Sequence, residues 1–246
     1  MQGPSAAPTR RYLHSVAGLE PGATSPLPWM FATIGLWVAM FALVVAAAAS
    51  GVFDEGGSSS AAATGLGFLA VMAILGAAVT GFVWVRQIGK NSGRYGGLLV
   101  LGAIIPWERL AFSGDEATSV GAVQGRVIVS LVLGLIASVA FRRKLIVSVW
   151  RSGRLEPAFV ADLIWLMSLI GWALIAVPLT LSVMDPIEER TAFYVTYRFR
   201  DPNPSVVVTG LVLSGIAVVA WLGTLIAATV AQHKTITEAR RVDPAR

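Results

Sequence analysis

The sequence predicts an all-α membrane protein, a polytopic bundle of six transmembrane helices with the N-terminus and the C-terminus both cytoplasmic. Three observations point there. The 246 residues are 55% hydrophobic and 13% charged, about half the charged fraction of a soluble domain, which is roughly 25%. The apolar residues gather into runs long enough to cross a hydrocarbon core of about 30 Å, which takes about 20 residues. The Lys and Arg residues fall mostly on alternate connections between those runs. This composition excludes a soluble enzyme, a disulfide scaffold (there is no cysteine) and a conventional nucleic-acid-binding domain.

Residues 1–28 are rich in Pro, Gly, Ala and Ser and read as a disordered cytoplasmic tail. The first span, Trp29–Val52, follows Arg10 and Arg11 but exceeds the 7–15 residues of a signal-peptide core, so it is expected to remain in the protein. Ala61–Val85 is the second span. The third, Gly96–Phe112, is short and broken by Pro106, Glu108 and Arg109. It reads as a short span, a re-entrant segment or an interfacial helix until parity is considered. Val120–Phe141, Ala158–Met184 and Ser205–Ala231 complete a transmembrane domain over residues 29–231, and residues 232–246 form a second cytoplasmic tail.

Six crossings place fourteen basic residues on one side: Arg10, Arg11, Arg86, Lys90, Arg94, Arg142, Arg143, Lys144, Arg151, Arg154, Lys234, Arg240, Arg241 and Arg246. The other side holds three, Arg190, Arg198 and Arg200, with eight acids. Such a bias assigns both termini to the cytoplasm. Were Gly96–Phe112 not to cross, Arg142–Lys144 would fall outside and the bias would collapse, so it is taken as a crossing. The positive sign of the net charge of +5 then comes from the cytoplasmic face alone, opposite an anionic leaflet, and no nucleic-acid partner is expected. Arg outnumbers Lys sixteen to three and Asn occurs twice, a residue usage that suggests a bacterial plasma membrane.

Small residues let helices approach closely in lipid, where hydrophobic drive between them is absent. The last span carries Gly210, Ser214, Ala217, Ala220, Thr224, Ala227 and Ala231 at spacings of three and four. The second carries Ala73, Ala77 and Gly81, and the fourth Gly121, Gly125, Ser130, Gly134 and Ser138. These three helices are expected inside the bundle, or with one stripe facing a partner subunit. No internal repeat marks an inverted-repeat transporter.

Intramembrane charge is the default functional signal in such a chain. Glu108 lies about 6 Å, and Arg126 about 9 Å, inside the outer ends of consecutive antiparallel spans. With Arg109 and Gln124 nearby, they form a candidate charge site that reads as a gate, an anion or proton site, or a structural pair. Asp162 falls in the first turn of the fifth span, where the helix dipole favours a carboxylate. Arg151 or Arg154 is expected within its reach. Pro106 and Pro178 each deprive a carbonyl one turn earlier of its donor.

Between the fourth and fifth spans, Leu145, Ile146, Val149 and Trp150 recur at helical spacing among Arg142, Arg143, Lys144, Arg151 and Arg154. This predicts a short basic amphipathic helix that docks on anionic lipid or on a cytoplasmic partner such as a nucleotide-hydrolysing subunit. Outside, Thr191–Arg200 alternates apolar and polar residues and predicts a strand. A lone strand is unstable, so it is expected to pair within its loop, lie on the bundle or join a partner's sheet.

The two histidines, His14 and His233, lie outside the spans, so haem ligation, a metal site and a Ser-His relay in the membrane are not expected, and no cofactor is implied. Gly65-Leu66-Gly67 lacks a strand-to-helix context and is not a nucleotide site. The leading functional expectation is a non-enzymatic membrane subunit of a transporter or cell-envelope assembly. The alternatives are a self-contained small-solute permease and an intramembrane enzyme acting on lipid-linked substrates through Glu108 or Asp162.

Overall fold

A computed structural model describes residues 19, 20, 22–49, 61–93, 120–190, 195–198 and 200–242. The chain is mostly helical. Its described helices are α1 (Leu27–Ala49), α2 (Ala61–Asn91), α3 (Val120–Ile136), α4 (Arg143–Ser152), α5 (Phe159–Met184) and α6 (Pro204–Val242). A six-residue π-helical stretch, Ala137–Arg142, joins α3 to α4. Among the described residues five helices, with α3 and α4 counted as one, are long and apolar enough to cross a membrane. The expected third span, Gly96–Phe112, with Glu108 and Arg109, lies outside the described residues.

Large apolar side chains stay exposed along these helices, among them Phe31, Val38 and Phe41 on α1, Phe68 and Val79 on α2, and Val208 and Val219 on α6. Water-soluble monomers seldom expose contiguous apolar surface on this scale, so the helices suggest a membrane location.

Two helices outrun their apolar segments. α2 continues past Val85 to Asn91, and α6 past Ala231 to Val242. Hydropathy marks what lipid tolerates, whereas a helix continues while its residues favour it, and Arg, Gln, Lys, Glu and Ala all do. Lys90, Arg240 and Arg241 sit in the last turns, where the negative end of the helix dipole favours cations. At helical rise the 39 residues of α6 extend about 58 Å, about twice a hydrocarbon core of roughly 30 Å. Asn203 Oδ1 accepts from the Ser205 backbone N–H at 3.0 Å with Pro204 as first helical residue, a capped start. Pro178 sits inside α5 without ending it.

The chain divides into two compact units, Met1–Tyr95 with Ile226–Arg246, and Gly96–Leu225. In the first, α1 and α2 run antiparallel, with Leu36 against Gly76 and Thr33 against Gly81. Burial is densest where the end of α2 (Trp84, Val85, Ile88, Asn91) meets Ala228, Thr229 and Gln232 of α6. Residues 19–26 belong to the segment whose composition predicts a disordered tail. In the structure Leu19 and Pro26 are buried, and the Glu20 and Thr24 backbone N–H groups donate to Asn91. Asn91 supplies the fixed polar partners that composition does not reveal.

In the second unit, α5 and α6 touch backbone to backbone. A Cβ added at Gly171 would lie 2.8 Å from the Ser214 nitrogen, and one at Gly210 would lie 2.8 Å from the Gly171 carbonyl oxygen. Gly134 leaves room for the Trp172 ring. No described residue lies within 4 Å of a Cβ at Gly121 or Gly125, so that half of the α3 stripe packs against nothing described. Ile187–Arg190 (β1) and Val195–Arg198 (β2) form an antiparallel hairpin with Ile187 opposite Arg198 and Arg190 opposite Val195. Of the three arrangements expected for the strand, pairing within its own loop is the one observed.

Candidate functional site

The joint between α3 and α4 organises the second unit. The Ser138 carbonyl accepts the Arg143 backbone N–H five residues on and also Trp165 Nε1 at 2.9 Å. A side-chain donor from a neighbouring helix entering the hydrogen-bond ladder is a recognised origin of such a bulge. Arg142 Nη1 donates to Ser138 Oγ at 3.1 Å. Because the helix never breaks, α4 continues from α3 as one helical run.

That continuity decides what the amphipathic segment touches. Leu145, Ile146, Val149 and Trp150 are buried. Ile146 and Trp150 form a core cluster with Ala161 and Ile164 of α5, flanked by Trp165, Ala220 and Trp221. The apolar face of α4 is therefore taken up inside the protein, and Trp150, expected on a docking surface, is interior. Its indole Nε1 is buried with no hydrogen-bond partner among the described residues. Lys144 and Arg151, seven residues apart and so on one face of α4, remain exposed, as does Arg154 just beyond the helix end.

Asp162 lies in the first turn of α5, but its partner is Arg143 rather than Arg151 or Arg154. Arg143 Nη2 lies 3.0 Å from Oδ1, Nε donates to the same oxygen at 3.1 Å, and the guanidinium sits 5.3 Å from the Trp165 ring centre. Both side chains are about half exposed, 52% and 51%, and a charged pair exposed to that degree favours a place at the water boundary rather than in lipid. The start of α4, not its end, is what the unbroken helix brings beside α5.

Above this level a cavity of about 950 Å³ runs between α3, α4, α5 and α6. Val127 and Leu131 of α3, Ile175 and Leu179 of α5, and Val218 and Trp221 of α6 supply most of its apolar wall. Ser130, Ser168, Thr180 and Ser214 add hydroxyls, and Arg142 stands at the α4 end. Thr180 Oγ1 is already committed to the Ala176 carbonyl at 2.7 Å. Among the described lining residues Arg142 carries the only charge. Such walls can hold an apolar or amphiphilic molecule; the described lining residues include no carboxylate or imidazole for acid–base chemistry.

Of the proposed intramembrane charge site, Glu108 and Arg109 lie outside the described residues. Arg126 is half-buried on α3, and neighbouring Gln124 donates from Nε2 to the Val183 carbonyl at 3.2 Å. Asp162 stands with Arg143 instead. Among the described residues no group of three His, Asp or Glu side chains is placed to hold a metal ion.

A cluster that sequence reasoning missed lies in the first unit. Asn91, 1% exposed, donates from Nδ2 to the Thr24 carbonyl and to Gln232 Oε1, each at 2.8 Å. Its Oδ1 accepts from Gln87 Nε2 at 2.8 Å and the Thr24 N–H at 3.2 Å. Gln232 Nε2 donates to the Ile88 carbonyl at 3.1 Å, Trp84 Nε1 to Thr229 Oγ1 at 2.8 Å, and Ser25 Oγ lies 2.9 Å from His233 Nδ1. The one available signal was the rarity of Asn, with Asn91 and Asn203 the chain's two. No protein-family model, curated protein or solved structure matches this chain.

Proposed function

We propose that the protein is a multi-pass protein of a bacterial plasma membrane, with both termini cytoplasmic, acting as a non-enzymatic membrane subunit of a transporter or cell-envelope assembly. The cationic face of α4 is its docking surface for an acidic cytoplasmic partner. The observation that carries this reading is the burial of Leu145, Ile146, Val149 and Trp150 inside the protein. A helix that inserts into an interface needs a free apolar face; α4 has spent its own and presents Lys144, Arg151 and Arg154 on a rigid support.

Six crossings are supported by parity as well as by charge. Asn91 ends α2 and hydrogen-bonds to Gln232, beyond the apolar part of α6. The two ends therefore share one side of the membrane. Between them the described helices supply three crossings: α3 with α4, α5, and α6. That arrangement favours an odd number more, and Gly96–Phe112 is the apolar segment we assign to it.

The cavity favours a second reading, a permease for a small apolar or amphiphilic solute. Co-purification separates the two. A tagged chain isolated in mild detergent is expected to bring down a stoichiometric partner that is lost in the Lys144→Ser/Arg151→Ser/Arg154→Ser variant. No partner, or the same partner retained by that variant, overturns the subunit reading.

A further inference from the structure

The geometry points to the cavity between α3, α4, α5 and α6 as a binding site for one acidic phospholipid, with its phosphate on Arg142 and an acyl chain along the apolar wall. The site is distinct from the docking face, since Lys144, Arg151 and Arg154 are not among its described lining residues. It rests on the membrane location and the orientation proposed above, and not on whether a partner docks.

Size comes first. About 950 Å³ stands at the top of the roughly 300–1,000 Å³ range of small-molecule sites, and the space is a half-open cleft rather than an enclosed void. Shape follows from the lining. Ile164, Ser168, Ile175, Leu179 and Val183 of α5 all face it at three- and four-residue multiples. They extend the wall over about 28 Å at helical rise, near the roughly 30 Å of a hydrocarbon core. A compact polar solute has no use for so long an apolar surface.

Charge sets the polarity. Arg142 lies at one end, next in sequence to Arg143, whose half-exposed ion pair with Asp162 is costly in hydrocarbon and belongs near water. A cation at the water boundary with apolar wall leading away from it is complementary to an anionic head with a hydrocarbon tail. A neutral hydrocarbon would not use the guanidinium, and a cationic amphiphile would be repelled. The bond to Ser138 Oγ holds the guanidinium at the mouth, and its planar fork of donors suits a phosphate. The anionic leaflet that the basic residues face supplies such a lipid at that depth.

Native mass spectrometry of the full chain, delipidated and titrated with phosphatidylglycerol or phosphatidylcholine, tests this. One phosphatidylglycerol is expected to bind about tenfold more tightly than phosphatidylcholine, because both lipids bring the phosphate but the choline cation of the second is repelled by the Arg142 guanidinium. Arg142→Ala should abolish that preference and Arg142→Lys should keep part of it. Ser168→Phe, which fills the cavity without touching the charge, should weaken both lipids. The triple variant Lys144→Ser/Arg151→Ser/Arg154→Ser should bind as the wild type does. Equal retention of the two lipids, a preference that disappears with the triple variant, or full binding by Ser168→Phe would each overturn the assignment. A free fatty acid that binds in place of phosphatidylglycerol with equal affinity would overturn the phospholipid as occupant. Thermal melts identify any variant that fails to fold, and Arg142→Lys and Ser168→Phe then carry the test separately.

Discussion

Asn91 and Gln232, 141 positions apart, share a buried hydrogen bond of 2.8 Å that ties the end of α2 to α6. Both side chains are nearly inaccessible, and each has further backbone partners in Thr24 and Ile88. Replacing one member leaves the other's polar atoms buried and unpaired, at about 1–3 kcal/mol. Asn91→Leu and Gln232→Leu are each expected to destabilise the protein by that amount in a denaturant titration. The double variant should cost less than the sum by about 0.5–3 kcal/mol, because one loss is counted twice.

Two buried tryptophans should respond oppositely to the same change. Trp84 Nε1 donates to Thr229 Oγ1, so Trp84→Phe is expected to lose about 1 kcal/mol with that bond. Trp150 Nε1 has no partner among the described residues, so Trp150→Phe relieves a desolvated donor and should be neutral or stabilising. Thermal melts of the two variants side by side make the comparison.

The α5–α6 contact should tolerate no added carbon. Gly171→Ala and Gly210→Ala push against backbone atoms, and overpacking of this kind costs about 1–3 kcal/mol. Gly215→Ala and Gly223→Ala, on the same helix as Gly210 but with open space around them, should leave the melting temperature unchanged or slightly raised.

Asp162 is expected to behave as a structural residue. Its pair with Arg143 is half exposed, and such pairs contribute less than about 1 kcal/mol. Asp162→Asn should therefore lower stability by less than about 1 kcal/mol, with the loss shrinking as salt is added. It should also leave phosphatidylglycerol binding intact. Abolished binding would contradict this.

Much of the helical layout was legible because lipid solubility is written directly in composition. The expected spans Ala61–Val85, Val120–Phe141 and Ala158–Met184 begin within a residue of α2, α3 and α5. Gly210 and Ser214 announced a close contact through their spacing. Gly171 opposite them did not, since Met167 and Ile175 flank it at four residues and leave no small-residue pattern to read. The continuation of α3 into α4 was hidden because it depends on a donor from Trp165 on another helix. That hidden continuity is also why Arg143, and not Arg151 or Arg154, meets Asp162. The cavity left no local trace, because it exists where facing residues of α3, α4, α5 and α6 stand apart.

Six crossings with both basic ends inside is the claim on which the docking face and the orientation of the cavity depend, and the absence of cysteine makes it directly measurable. Single cysteines at Lys90, Glu156, Lys234, Glu188 and Asp201 would be exposed to a membrane-impermeant maleimide on intact cells. Glu188→Cys and Asp201→Cys are expected to label at once, and Lys90→Cys, Glu156→Cys and Lys234→Cys only after the membrane is opened. Labelling of Lys90→Cys and Lys234→Cys from opposite sides would contradict the six crossings, and labelling of both from outside would reverse the orientation.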